Sequence, residues 1–119
     1  MYARSLGREA ASCGLNCKDG FPADPRAEKF ARIHGLALAA HRTVNVQEFR
    51  FRDDDFVIVM EPAHLAAFRT KVDDCHQIVL AGNYCKKRNP YIHDPYNCCD
   101  KYFDHCEQRV MEAVRGICG

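Results

Sequence analysis

The run Phe56-Val57-Ile58-Val59-Met60 restricts the fold of this chain more than any other stretch. It is apolar throughout, as expected for a strand covered on both faces. Glu61-Pro62 follows at once and opens a helix whose inner face carries Leu65 and Phe68. Ile78-Val79-Leu80 then reads as a second buried strand, ended at Gly82. Strands alternating with helices point to an α/β layer fold on a parallel sheet.

The rest of the chain fits that order. Met1–Leu6 looks like the tail of a helix stopped near Gly7, and Ala10–Gly14 is a candidate strand. Residues 16–24 make a polar loop containing Gly20 and Pro22. Asp24-Pro25 reads as an N-cap and first helical position. Ala27, Phe30, Ala31 and His34 recur at helical spacing, with Gly35 as the stop. From Asp100 onward, Phe103, Cys106, Val110, Ala113 and Ile117 form one apolar stripe, the mark of a surface helix docked on a sheet. At 119 residues and 13.6 kDa, with no internal repeat, residues 1–119 are expected to form a single domain.

Charge and composition exclude several classes of partner. A net charge of +1 gives no field that would favour nucleic acid or an anionic membrane. No apolar run approaches the roughly 20 residues that span a bilayer. Residues 1–9 show no apolar leader segment, so a cytoplasmic protein is expected. The eight cysteines are then free thiols rather than a disulfide framework. None of them forms a Cys-x-x-Cys pair, and no cofactor or metal is expected. His93, Cys98, Cys99, His105 and Cys106 fall within fourteen residues and could gather a metal. Small buried or surface thiols are the other reading. Asp53-Asp54-Asp55 could hold a hard cation or be a solvated turn. Lys86-Lys87-Arg88 could draw in an anionic substrate or be a solvated surface.

His93-Asp94-Pro95-Tyr96 is the stretch best suited to chemistry. A residue before proline is held out of the α region, so the Asp94 carboxylate projects from a stiff loop. The aromatic ring two residues on can wall a pocket. Such a mount suits a general acid, although Asp-Pro is also an ordinary turn signal.

Together these pieces resemble the low-molecular-weight protein tyrosine phosphatases. The resemblance rests on an ordered set: Ser12-Cys13-Gly14, Gly20-Phe21-Pro22-Ala23-Asp24-Pro25-Arg26-Ala27, His34-Gly35-Leu36, His41-Arg42, the strand Phe56–Met60, the helix from Pro62, and Asp94-Pro95-Tyr96 with its closing helix. It covers essentially the whole chain. It implies a three-layer α/β fold of four parallel strands with helices on both faces. It also implies hydrolysis of phosphotyrosine proteins or aryl phosphates through a cysteinyl-phosphate. Asp94 then matches the general acid, Tyr96 an aromatic wall of the phosphotyrosine slot, and His41 a residue that braces the phosphate loop from behind.

The chain departs from that family in two places. The family's first, central strand and its Cys-x5-Arg phosphate loop precede the helix that appears here as Met1–Leu6. None of the eight cysteines has an arginine six residues on. Nucleophile, phosphate cradle and arginine clamp are therefore missing together from these 119 residues. Glu61 also stands after Met60 where the family usually has an aspartate. Three readings follow: a family phosphatase whose chain is N-terminally incomplete and inactive alone, a pseudo-phosphatase acting as a binding or regulatory module, and a thiol enzyme resembling the arsenate reductases. Loss of the central strand would expose strand edges and apolar faces, so self-association is also expected.

Overall fold

The computed structural model describes Arg4, residues 6–71 and residues 77–119. The helix tail expected over Met1–Leu6 therefore lies, apart from Arg4 and Leu6, outside the described residues. In chain order the elements are α1 (Pro25–Ile33), β1 (Val57–Val59), α2 (Pro62–Lys71), β2 (Ile78–Leu80) and α3 (Asp100–Cys118). Short 3-10 turns lie at Val46–Glu48 and Ala81–Tyr84.

The strand–helix–strand unit forms as its sequence dictates. β1 and β2 pair in parallel, with Val57 opposite Ile78 and Val59 opposite Leu80. Among the described residues the sheet holds these two strands, an α/β arrangement. One expectation fails in detail, because β1 is not covered on both faces. Successive strand residues point to opposite sides. Val59 is buried, whereas Phe56 and Ile58 on the other side are 43% and 39% exposed.

The strand expected over Ala10–Gly14 does not form. Only Gly14 makes an isolated parallel bridge, to Asn45, through bonds of 2.8 Å from its own N–H to Val44 and from the Val46 N–H to its carbonyl. Just beyond Gly14, polar side chains bond the main chain of the loop. Asn45 Nδ2 donates to the Cys17 carbonyl at 2.8 Å, Thr43 Oγ1 donates to Lys18, and Asp19 Oδ1 accepts from the Asn45 N–H at 2.6 Å. Side chains that bond the nearby main chain stabilise loops at the expense of ladders.

The helices follow their end signals. The Asp24 carboxylate caps α1 by accepting from the Arg26 N–H at 2.8 Å, with Pro25 at the first position. Gly35 closes α1 at φ +71°, a left-handed conformation that costs glycine little. The Gly35 and Leu36 N–H groups then bond the Arg32 and Ala31 carbonyls, satisfying the last turn. On α3 the stripe residues Phe103, Cys106 and Ala113 are buried. On α2 the inward Phe68 is buried, and its ring meets Phe51 edge-on at 5.4 Å.

A core cluster of Ala81, Cys85, Ile92 and Ala113 joins the turn after β2, the loop before α3, and α3 itself. Met60 and Val110 pack against it. Ile92 is a loop residue, yet it is only 3% exposed. That burial fixes the loop on which the candidate site stands.

Candidate functional site

The loop over residues 89–98 is held from its start to its end. At its start, the Arg109 guanidinium of α3 donates to the Tyr91 carbonyl at 2.6 Å and to Asn89 at 3.4 Å. The Asn89 N–H donates to the Gly82 carbonyl at 3.2 Å. A Cβ on Gly82 would lie 1.8 Å from the Asn89 oxygen, so this approach requires glycine. Next, Ile92 enters the core while its N–H donates to the Met60 carbonyl at 2.9 Å, just past the end of β1. His93 Nδ1 lies 3.4 Å from the Glu61 carboxylate, and its ring stacks on Tyr91 with centroids 5.4 Å apart. Glu61, the residue that departs from the expected aspartate, thus faces the loop.

Asp94 comes next. Its Oδ1 accepts from the Tyr96 N–H at 3.0 Å, the side-chain turn that Asp makes with the backbone two residues on. The Cys98 N–H donates to the Pro95 carbonyl at 2.9 Å and closes a further turn. Asp94 is exposed. Tyr96 is 66% exposed, so its ring is not consumed by packing. The loop therefore offers solvent a fixed carboxylate beside a free aromatic face. Such a pair can protonate a leaving group and stack against a ring.

At its end the loop rests on Arg26 of α1. The Arg26 guanidinium donates to the Tyr96 carbonyl at 2.5 Å and to the Cys98 carbonyl at 2.7 Å. It lies 4.3 Å above the ring of buried Phe103. Its nitrogens also come within 3.6 Å of Asp24 and 3.5 Å of Asp100. In the sequence Arg26 stands out only as a member of the run Gly20–Ala27, and Arg109 not at all. A signal for Arg26 was present, because a cation in the first turn of a helix sits at the wrong end of the dipole and asks for another partner.

The other candidates lie apart. His41 is half-buried after a turn in which its N–H donates to Leu38 at 3.1 Å. Among the described residues, no hydrogen bond, ion pair or ring contact joins His41 to Asp94 or Tyr96. Nor do three or more His, Cys, Asp or Glu side chains among the described residues gather with metal-holding geometry. The expected possibility over residues 93–106 fails because α3 begins at Asp100 and turns Cys106 inward, while His105 remains exposed beside Tyr102. Burial pushes the Cys106 thiol above its ordinary range. The seven described cysteines are free, and Cys75 lies outside the described residues. Asp53 and Asp54 are exposed, as are Lys86 and Lys87. Arg88 lines a cleft of 630 Å³ with Leu65, Ile78 and Tyr84, and Asp94, Tyr96 and His41 have no part in its lining. Among the described residues, no helix is long and apolar enough to cross a membrane.

Known proteins place this architecture. Residues 1–118 match the family described as low molecular weight phosphotyrosine protein phosphatase. The low molecular weight protein-tyrosine-phosphatase Wzb of Salmonella typhi is 32% identical over 87 residues, which cover 72% of this chain and 57% of that protein. The chain thus spans little more than half the length of that relative. The crystal structure of the Erwinia amylovora tyrosine phosphatase AmsI superposes with a TM-score of 0.83 at 26% identity, covering 97% of this chain and 76% of that one. The tyrosine phosphatase Wzb of Escherichia coli K30, in complex with sulphate, superposes at 0.81 and 25% identity, covering 98% and 82%.

Proposed function

The chain belongs to the low molecular weight phosphotyrosine protein phosphatase family, and on that premise we propose that its 119 residues carry the general acid and the aromatic wall of an aryl-phosphate hydrolase but not its nucleophile. The observation that carries the reading is the Asp94 carboxylate, tied by one oxygen to the Tyr96 N–H at 3.0 Å on a loop anchored through buried Ile92. In the complete reaction a cysteine thiolate attacks phosphorus. The S–P bond forms as the P–O bond to the aryl group breaks. Asp94 gives its proton to the departing phenolic oxygen. The same carboxylate then takes a proton from water as the water oxygen attacks phosphorus, releasing thiolate and inorganic phosphate. Tyr96 stacks on the aryl ring, and His41 braces the phosphate loop. The fit of the substrate to this reading is phosphotyrosine in a protein. The seven free cysteines among the described residues suit the cytoplasm, a compartment that keeps thiols reduced.

The Escherichia coli relative holds sulphate, a tetrahedral anion with the shape of phosphate. A Cys-x5-Arg loop would cradle such an anion, and the present 119 residues contain none. A placed general acid supplies only about 10²–10⁴-fold, so Asp94 alone does not run the reaction. One second reading is a pseudo-phosphatase that binds without turnover. A thiol reductase resembling the arsenate reductases would need the same missing loop.

The test has two stages. The 119-residue chain is expected to hydrolyse no aryl phosphate above background. Turnover that survives purification and disappears on mutating one cysteine would overturn this. A family-type strand and phosphate loop is then grafted before Met1, and hydrolysis is expected to appear. In that graft Asp94→Ala lowers turnover by about 10²–10⁴ on a poor leaving group and much less on a good one. Tyr96→Ala mainly raises KM. Equal losses on both leaving groups, or none, would make Asp94 a turn residue only. A folded graft without turnover would favour the binding module.

A further inference from the structure

We infer that Arg26 is the positioning residue of the Asp94 loop, acting on the carboxylate through the main chain of Tyr96. The catalytic meaning of this inference rests on the reading of Asp94 above. The hold on the loop does not.

A guanidinium is a planar fork of donors that suits two acceptors at once. Here one arm reaches the Tyr96 carbonyl at 2.5 Å and another the Cys98 carbonyl at 2.7 Å. The N–H of that same Tyr96 donates to Asp94 Oδ1 at 3.0 Å. Tyr96 is thus gripped from behind by Arg26 while it grips Asp94 in front. Two hydrogen bonds connect the arginine to the acid.

Arg26 can serve as a fixed foot because its own place is over-determined. Its guanidinium stacks 4.3 Å over Phe103, a ring that is only 4% exposed. Asp24, the cap of α1, and Asp100, the first residue of α3, flank it at 3.6 Å and 3.5 Å. The foot therefore joins the beginnings of two helices to the carboxyl end of the loop. Arg109 fastens the opposite end through Tyr91 and Asn89. Along the chain Asp94 lies between the segments that the two feet hold. A lysine at position 26 would keep the charge but lose the fork, and a glutamine would lose both.

Residue-resolved amide exchange on the 119-residue chain tests the hold. In R26Q the Tyr96 and Cys98 amides are expected to exchange about tenfold faster or more, the scale set by losing one hydrogen bond to a charged group. R26K recovers part of the protection, and Val59 and Ala113 keep their rates in both variants. An unchanged Tyr96 rate would overturn the inference. So would an equal acceleration along α1 and α3, which would make Arg26 a general packing residue. Should R26Q not fold, R26K decides alone by the same two signs. In the grafted enzyme, R26K is expected to lower kcat with KM unchanged, more on the poor leaving group. It should add no further loss to Asp94→Ala, and an added loss of similar size would refute action through Asp94. If Asp94→Ala itself shows no leaving-group dependence, the acid reading fails, while the exchange rates still decide whether Arg26 holds the loop.

Discussion

At Glu107 the chemistry of one side chain opposes its position. It lies half-buried on α3, where burial first, and then the Asp104 and Asp24 carboxylates, raise its carboxyl above the ordinary range. The folded state therefore binds this proton more tightly than the unfolded chain does. Stability from this group is fully present below the unfolded carboxylate range and is lost as pH rises through the raised folded value. Glu107→Gln replaces the carboxylate by a neutral group of the same shape. Its melting temperature should exceed the parent's at neutral pH, and the gap should close as pH falls below about 4, where unfolded glutamates gain their protons. Thermal unfolding across pH reads this directly. A lower melting temperature for the variant at neutral pH would mean that Glu107 has a favourable partner that outweighs its burial. Asp94 differs in kind: it is exposed, and its carboxylate accepts from the Tyr96 N–H.

Among the elements, what was legible in the sequence is what short-range chemistry decides. α1 has Asp24-Pro25 at one end and Gly35 at the other, and both ends form as written. The stripe of α3 and the inward Phe68 of α2 follow from helical periodicity. The strand expected over Ala10–Gly14 does not form because a strand depends on a partner, and only Gly14 meets one, at Asn45. The site loop was legible as a turn at Asp94-Pro95. Its fastening was not, because Arg26 reaches carbonyls 70 and 72 residues away, and main-chain acceptors leave no trace in residue type. Gly82 ties this loop to the turn after β2. Gly82→Ala would drive a methyl group into the Asn89 carbonyl, backbone that cannot rotate away. The expected loss is about 1–3 kcal/mol, the usual cost of overpacking a fitted site. Faster amide exchange at Ile92 should accompany it. A variant as stable as the parent would show that the loop start can shift freely.

For the whole molecule, the surface is large for its mass. The chain exposes 8271 Å², whereas a folded monomer of 13.6 kDa exposes roughly 6,600 Å². The shape is not drawn out, since the radius of gyration is 14.0 Å against about 13.5 Å for a compact domain of this length. The surplus includes faces left uncovered. Some of it is apolar, with Phe56 and Ile58 exposed on one side of β1 in the sheet of two strands found among the described residues. A stable protein interface removes about 800 Å² from each partner, less than the surplus. We therefore expect the isolated chain to self-associate or to bind a hydrophobic dye. Size-exclusion chromatography with light scattering should give a mass above 13.6 kDa that rises with concentration. Phe56→Ser and Ile58→Thr, which place polar groups on the open face, should shift it toward the monomer. The corresponding change at exposed Tyr102 on α3, Tyr102→Ser, should leave the mass unaltered. A sharp monomer peak at all concentrations, with cooperative unfolding and no dye binding, would show that the open face of β1 is tolerated in water.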